Sequence, residues 1–205
     1  MATLLVITAS PRGERSISRL LTMDFSRLWA QGHPQDTILL RDVGHHPVPH
    51  VTEPWVVGAF APSDAQTAES KAAIAVSDQL VDEFLSADRY VFGVPMYNFN
   101  IPSTFKAYLD QIVRAGKTFG VGPNGYEGLV KNKKALFIVS GGGPWAGSPT
   151  SPYNFQEPYL RVIFGFIGVT DLQFVAADSL NLGEAAAKQS REKAENTLKE
   201  LAGTW

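Results

Sequence analysis

The chain has 205 residues, of which 44% are hydrophobic and 19% charged; this excludes a disordered protein and suits one α/β domain, residues 1–205, with a sizeable core. The net charge of −2 argues against general binding to nucleic acids or anionic membranes, and the absence of cysteine excludes disulfides, thiolate nucleophiles and cysteine-bound metals. Because neither an apolar run of roughly 18 residues nor a signal-peptide pattern is present, we expect a soluble cytoplasmic protein.

The beginning of the chain predicts a strand, a helix and a second strand. Consecutive apolar residues at 3–9 are typical of a strand that is buried on both faces of a parallel sheet. Apolar residues at helical spacing then predict a helix over 17–31, with Ser16 as its N-cap and Gly32 as its terminator. The second strand covers 37–43.

The middle of the chain continues the alternation. A proline-rich loop at 44–64, with room for a short helix, leads to a long helix at 66–86 that carries one apolar stripe. The third strand covers 89–95, and the next helix begins near Pro102, a residue suited to a first helical turn. The buried face of that helix is predicted to carry Phe105, Tyr108, Leu109, Ile112 and Val113.

The remaining chain predicts two further strands and two further helices. A turn-rich segment at 118–130 is compatible with a hairpin, and the strands at 134–140 and 170–178 are separated by a helix at 153–166. A helix over 184–202 follows. This alternation predicts a parallel sheet that is covered on both faces by right-handed crossovers.

Three of the predicted strands end in unusual loops. In an open parallel sheet, ligands bind beyond the carboxyl ends of the strands, where the strand order reverses. In a 2-1-3-4-5 order, the first, third and fourth strands are neighbours. Their loops, "SPRGERSIS", "PMYNFNIP" and "SGGGPW", then border one crevice.

The first loop has hydroxyl groups where many nucleotide-binding loops have glycines. Ser10, Ser16 and Ser18 surround the start of a helix, whose amide groups and dipole favour an anion such as a phosphate monoester. The loop matches neither the dinucleotide fingerprint nor the Walker A pattern. The alternative interpretation is that the serines only cap the helix and that Arg12 and Arg15 are solvated.

The second and third loops are suited to a flat ligand. Met96, Tyr97 and Phe99 are too apolar for an exposed turn and would cover an aromatic ring, unless the loop packs its aromatics into the core. Glycines in the third loop allow close approach of the backbone, and Trp145 would form a wall, unless this is a flexible turn with a surface tryptophan. A phosphate site beside a ring site indicates flavin mononucleotide.

These motifs also carry a family resemblance. The pattern S-x-x-x-x-x-S-x-S from Ser10, "PMYNFNIP" and "SGGG" resemble the FMN-dependent NADH-azoreductases, which are also NADH:quinone oxidoreductases. "NGYEGLV" at 124–130, "KKALFIVS" and "GFIGVTD" at 165–171 are similar to the family at the corresponding places, so the resemblance covers nearly the whole chain.

The resemblance implies a flavodoxin-like three-layer sandwich with strand order 2-1-3-4-5, and a homodimer with its active sites at the interface. It implies an FMN site in which the phosphate is held by Ser10, Ser16, Ile17 and Ser18. The isoalloxazine ring is expected to contact Met96, Tyr97, Asn98 and Phe99, with Ser140, Gly141, Gly142 and Gly143 along its other edge. A flat substrate slot is expected from Phe119, Trp145 and Phe166, the last from the partner subunit.

Two features depart from the family pattern. Gly141 stands where the family often has a charged or polar residue, and the segment 144–158 is longer than usual. Both lie where a substrate would enter, so they affect the expected substrate preference more than the cofactor.

The implied mechanism needs no catalytic side chain, because FMN carries the chemistry. NADH, with NADPH as the open alternative, would reduce FMN, and a quinone or azo compound would then collect two electrons at the same place, giving ping-pong kinetics. The rival interpretations are a flavodoxin-type electron carrier and a reductase that uses FMN as a diffusible substrate. The net charge fits an enzyme better than an acidic carrier.

The histidines of "HHPVPH" form a separate candidate. His45, His46 and His50 lie in a stiff loop, and neutral imidazole is a common metal ligand. No carboxylate follows until Glu53, and we therefore predict no metal site there.

Overall fold

The computed structural model describes residues 1–62, 65–145, 148–149 and 151–205, and it is organised around a parallel sheet of five strands. In chain order the strands are β1 (Thr3–Thr8), β2 (Thr37–Asp42), β3 (Arg89–Pro95), β4 (Phe119–Gly122), β5 (Gly125–Gly128), β6 (Lys134–Ser140) and β7 (Asp171–Ala177). The sheet order is β2-β1-β3-β6-β7, which confirms the predicted order of the five main strands. The antiparallel pair β4 and β5 confirms the predicted hairpin.

Helices connect these strands. They are α1 (Ile17–Gly32), α2 (Glu53–Phe60), α3 (Ala68–Ser86), α4 (Ser103–Ile112), α5 (Gln156–Ile167) and α6 (Glu184–Thr204). The short helix for which the proline-rich loop has room is α2. None of the helices in the described part of the chain is long and apolar enough to cross a membrane.

Side chains of β1 alternate between two hydrophobic clusters, one on each face of the sheet. Leu5 and Ile7 pack with residues of α3, α4 and α5, while Leu4 and Val6 pack with residues of α1 and α6. All four side chains are almost completely buried. Because both faces of the strand are buried, consecutive positions along it are apolar.

Several helix ends differ from the sequence prediction by one to three residues, and two of these differences have a visible cause in the structure. Gly32 is the last residue of α1 and not its terminator, because His33 caps the helix: its N–H donates to the carbonyl of Trp29 at 2.8 Å. The imidazole of His33 also stacks on the Trp29 ring, with centroids 3.8 Å apart. Helix α5 begins at Gln156 and not at 153, because the side-chain oxygen of Asn154 accepts the N–H groups that start the helix.

The strand register places the ends of three neighbouring strands at one edge of the sheet. Pro95 of β3 pairs with Ser140 of β6, and Thr8 of β1 pairs with Gly93 of β3. The loops that follow β1, β3 and β6 therefore leave the sheet together, as the strand order predicted.

Candidate functional site

The loop after β1 buries three hydroxyl groups at the start of α1. Ser10, Ser16 and Ser18 are at most 3% exposed. The Ser16 hydroxyl oxygen accepts the N–H of Arg19 at 3.3 Å, which confirms Ser16 as the N-cap, and lies 3.3 Å from the hydroxyl of Ser18. Since the first N–H groups of a helix have no acceptor within the helix, these hydroxyls and amides are suited to binding an anion.

Ser10 connects this loop to the loop after β3. Its hydroxyl oxygen accepts the N–H of Arg12 at 3.3 Å and lies 3.4 Å from the phenol oxygen of Tyr97. The two loops that we predicted for the phosphate and the ring therefore meet through their side chains.

The loop after β3 contains a tight turn with an unusual backbone. Tyr97 and Asn100 exchange two backbone hydrogen bonds of 2.8 and 3.0 Å, and the residues between them, Asn98 and Phe99, have φ angles of +47° and +70°. Positive φ at both central positions defines a type I′ turn, in which Asn is common and Phe is not. Such a conformation costs of order 1–3 kcal/mol per residue and is typical of functional sites.

Neighbouring elements hold this turn in place. The N–H of Met96 donates to the carbonyl of Ser140 at 2.7 Å, and the N–H of Phe155 donates to the carbonyl of Phe99 at 3.0 Å. Buried Gln156, the first residue of α5, donates from its amide to the carbonyls of Val94 and Pro95. Sequence reasoning missed Gln156, because a lone glutamine at a helix start gives no sign of what it supports.

The glycines after β6 are fixed by the segment after β7. The N–H groups of Ser179, Leu180 and Asn181 donate to the carbonyls of Gly143, Gly141 and Gly142 at 2.9–3.2 Å. A Cβ atom on Gly142 would lie 2.3 Å from the side-chain nitrogen of Asn181. The three glycines are thus packed against the segment after β7 and form one wall of the site.

A cavity of about 160 Å³ lies between the three loops. Its wall is formed by Ser10, Arg12, Ser16, Ile17, Pro95, Met96, Tyr97, Ser140, Gly141, Gly142, Leu180 and Asn181. Eight of the twelve predicted cofactor contacts are in this set. Of the other four, Ser18 has its hydroxyl 3.3 Å from that of Ser16, Gly143 is the last of the three glycines, and Asn98 and Phe99 occupy the tip of the turn. Arg12, Pro95, Leu180 and Asn181 were not predicted as contacts.

A second cavity, of about 410 Å³, shares Met96, Ser140 and Gly141 with the first. It extends beneath Trp145 toward α5. The Trp145 ring meets the edge of Phe99, with centroids 6.1 Å apart and planes at 88°. The indole nitrogen of Trp145 is buried and has no hydrogen-bond partner in the part of the chain that the structure describes.

Gly141 is required by the position of Trp145. A Cβ atom at Gly141 would lie 2.3 Å from the indole nitrogen, whereas one at Gly143 would be 3.5 Å from its nearest neighbour, also on Trp145. We therefore expect Gly141→Ala to displace the indole and to shift the tryptophan fluorescence of the flavin-free protein. Gly143→Ala is the matched control and is expected to keep the wild-type emission. Equal spectra for the two variants would contradict this packing.

The other two predicted substrate contacts lie elsewhere in the chain. Phe119 of β4 and Phe166 of α5 pack against each other with centroids 4.7 Å apart, and Tyr126 of β5 completes this group. Neither phenylalanine lines the two cavities described above. One chain alone therefore does not bring Phe119 and Phe166 together with Trp145.

One histidine of the "HHPVPH" loop, His45, interacts with an acidic side chain. The imidazole Nδ1 of His45 lies 2.8 Å from the carboxylate of Asp42, which also accepts two salt-bridging hydrogen bonds from Arg19. Burial alone would raise the pKa of Asp42, but the hydrogen bonds from Arg19 and His45 outweigh it and hold the pKa well below its usual range. Within the described ranges, no group of three or more His, Asp or Glu side chains is placed to hold a metal ion.

Comparison with known families assigns the class of this protein. A family model described as "Flavodoxin-like fold" matches residues 2–202. The chain therefore belongs to the flavodoxin-like fold family, in agreement with its strand order and with a cavity at the switch point of the sheet.

Individual relatives give a narrower assignment. The FMN-dependent NADH:quinone oxidoreductase 2 of Trichormus variabilis is 56% identical over 207 residues and covers 100% of both chains. An azoreductase from Bacillus anthracis has a TM-score of 0.93 and 29% identity over 100% of both chains. An FMN-dependent NADH-azoreductase from the same species, in complex with FMN, has a TM-score of 0.87 and 26% identity over 98% of this chain and 100% of its own. These similarities confirm the resemblance seen in the motifs.

Proposed function

We propose that this chain is an FMN-dependent NADH:quinone oxidoreductase that also reduces aromatic azo compounds. Relatives with these names match the chain over its whole length. The observation in the structure that supports the proposal most directly is the cavity between three loops, with serine hydroxyls at one end and glycines and aromatic residues at the other. We treat residues 1–205 as a single FMN-binding domain, which fits a family match over 2–202.

The residues of the cavity fit the parts of FMN. The buried hydroxyls and the free amides at the start of α1 suit the phosphate, with Ser10, Ser16, Ile17 and Ser18 as its contacts and the nearby Arg12 as a cation. The backbone that is exposed by Gly141 and Gly142 allows a flat ring to approach closely. Met96 and Tyr97, which line the same cavity, would contact the ring together with the turn Tyr97–Asn100.

When bound, FMN supplies two-electron hydride chemistry between a nicotinamide and an acceptor. The chain contributes binding, orientation and exclusion of water, so we assign no catalytic side chain. NADH is the donor in the names of the relatives, and we place the enzyme in the cytoplasm, where NADH is available. The small acceptors are quinones and azo compounds.

We further propose that the protein is a homodimer whose active sites include residues of both subunits. Helix α2 is anchored by Trp55, whose indole N–H donates to Gln111 at 2.7 Å, while Val57 and Phe60 of the same helix are 57% and 68% exposed. Neighbouring apolar residues that are exposed on one helix face are typical of an interface. A second subunit would also bring Phe119 and Phe166 to the site of its partner.

Phe60→Glu is expected to shift the protein from dimer to monomer, because a charge would be buried in the interface without a partner. Light scattering after gel filtration measures the mass directly. Leu40→Glu, at a 60% exposed position of the edge strand β2, is the control and should leave the dimer intact. A wild-type protein that is monomeric at micromolar concentration would contradict the dimer without affecting the proposed chemistry.

Steady-state kinetics distinguish the proposed enzyme from its rivals. One slot that serves donor and acceptor in turn gives parallel lines in double-reciprocal plots of rate against NADH at several quinone concentrations. An electron carrier would show no rapid reduction by NADH in a stopped-flow experiment. A reductase with diffusible FMN would lose its flavin during gel filtration, and either of these results would contradict the proposal.

A further inference from the structure

The guanidinium group of Arg19 lies behind the serine loop and connects three parts of the chain. Its two terminal nitrogens donate to the carboxylate of Asp42 at 2.7 and 2.8 Å, and one of them also donates to the carbonyl of Ser10 at 2.6 Å. The side chain of Arg19 is only 15% exposed. A planar guanidinium that makes a bidentate pair and a third hydrogen bond has one orientation, which a lysine cannot reproduce.

The Ser10 carbonyl is also packed against Gly44. A Cβ atom at Gly44 would lie 2.3 Å from this oxygen, so the backbone after β2 packs directly on Ser10. The N–H of Gly44 donates to the carbonyl of Thr8 and to the carboxylate of Asp42 at 3.2 and 3.0 Å. Asp42 thus forms hydrogen bonds both with Arg19 and with Gly44, whose backbone packs on Ser10.

His45 is a further partner of the Asp42 carboxylate. The His45 N–H donates to one carboxylate oxygen at 3.1 Å, and the imidazole Nδ1 lies 2.8 Å from the other. With Arg19 and Gly44, the carboxylate therefore has partners on both oxygens. It has little freedom to turn, which holds the guanidinium in one place.

This arrangement determines where the Ser10 hydroxyl is directed. Because the carbonyl of Ser10 faces Arg19, its hydroxyl is left on the cavity side, where it meets Arg12 N–H and Tyr97. Arg19 itself does not line the cavity, and its charge is matched by Asp42. Its influence on a bound anion therefore acts through Ser10 and through the first turn of α1.

We propose that Arg19, oriented by Asp42, is a positioning residue that pre-forms the phosphate end of the FMN site. The proposal rests on the proposed function. A cradle that is already ordered avoids the entropy cost of ordering it upon binding, and this raises affinity for the phosphorylated ligand. The ring end has its own supports in the turn Tyr97–Asn100 and in the bond from Met96 to Ser140, so it should not depend on Arg19.

The test compares FMN with riboflavin, which has the same ring and no phosphate. Full-length protein is freed of flavin and titrated with each ligand by fluorescence quenching. For Arg19→Met we expect the dissociation constant for FMN to rise about tenfold or more, and that for riboflavin to change by less than about twofold. Asp42→Asn is expected to give a smaller loss in the same direction. Combined with Arg19→Met it should add little, because both changes remove one interaction.

Two further variants show whether a loss of FMN affinity is specific to Arg19 and to the geometry of its guanidinium group. Arg27→Met removes an exposed arginine of α1 that pairs with Asp24, and it should leave both dissociation constants unchanged. Arg19→Lys keeps the charge and the fold but loses the three-bond geometry, so it should also weaken FMN more than riboflavin. Equal weakening of both ligands, or no weakening of FMN in Arg19→Lys, would overturn the proposal. Absence of FMN binding in the wild-type protein would instead overturn the proposed function.

Discussion

Replacing Asn98 with proline is expected to abolish retention of FMN through gel filtration. Asn98 has a φ angle of +47° in the turn that borders the ring site, whereas proline fixes φ near −65° and also disfavours neighbouring conformations. The turn must open, so Tyr97 and Phe99 leave their positions. The measurement is the ratio of flavin to protein absorbance in the eluted peak.

Two controls separate this local effect from general damage. Asn132, in the exposed segment before β6, has a φ angle of +60°, so Asn132→Pro imposes a similar strain outside the predicted site. That variant should keep its flavin. Asn98→Gly accepts the positive φ angle and should keep it too. A normal flavin content in Asn98→Pro would remove this turn from the site.

Ser16→Asp is expected to separate stability of the fold from binding of FMN. Aspartate is as good an N-cap as serine and interacts favourably with the helix dipole, so the melting temperature of the flavin-free protein should not fall. The same carboxylate would face the FMN phosphate, and the dissociation constant should rise by at least about 100-fold, or about 2.7 kcal/mol. Differential scanning fluorimetry and flavin titration measure the two effects.

Riboflavin again provides the matched ligand for this variant. Without a phosphate group there is no repulsion, so its affinity should be nearly the same for wild type and Ser16→Asp. Ser16→Ala is expected to be intermediate for FMN and to cost about 1 kcal/mol in stability, because the cap is lost without a new charge. If Ser16→Asp bound FMN as tightly as wild type, the phosphate would have to lie elsewhere.

The sheet and the three loops were predictable because their signals are local or follow from strand order. Runs such as 134–140 are buried on both faces and therefore read as consecutive apolar residues. Ser16 was predictable as a cap because the rule for N-caps involves only the residues of one helix turn. The meeting of the loops followed from the strand order and was confirmed by the register of β1, β3 and β6.

Features that depend on particular side-chain contacts were not predictable, whether the partners are near or far in sequence. Gly32 resembles a helix terminator, but it is the last residue of α1, and the C-cap is His33, whose ring stacks on Trp29. Gln156 and Asn181 support the site through hydrogen bonds to strands and loops that are far away in sequence. The same holds for the contact of Arg19 with Ser10, because the sequence indicates a basic residue in a first helical turn and not its partner.

The predicted substrate slot shows a third reason why some features could not be predicted from the sequence. Trp145 borders a cavity that shares Met96, Ser140 and Gly141 with the candidate cofactor site, whereas Phe119 of the β4–β5 hairpin packs against Phe166. A single sequence carries no direct signal for residues that a second subunit contributes. The test of the Phe60 interface therefore also tests whether this aromatic group can serve as part of a substrate slot.

The most direct test of the central claim is the visible spectrum of the purified full-length protein, recorded without oxygen before and after addition of NADH. We predict flavin absorption at close to one FMN per chain, bleaching within the mixing time of NADH addition, and return of the absorption when a quinone is added. A colourless protein that neither binds added FMN nor quenches its fluorescence would contradict the account.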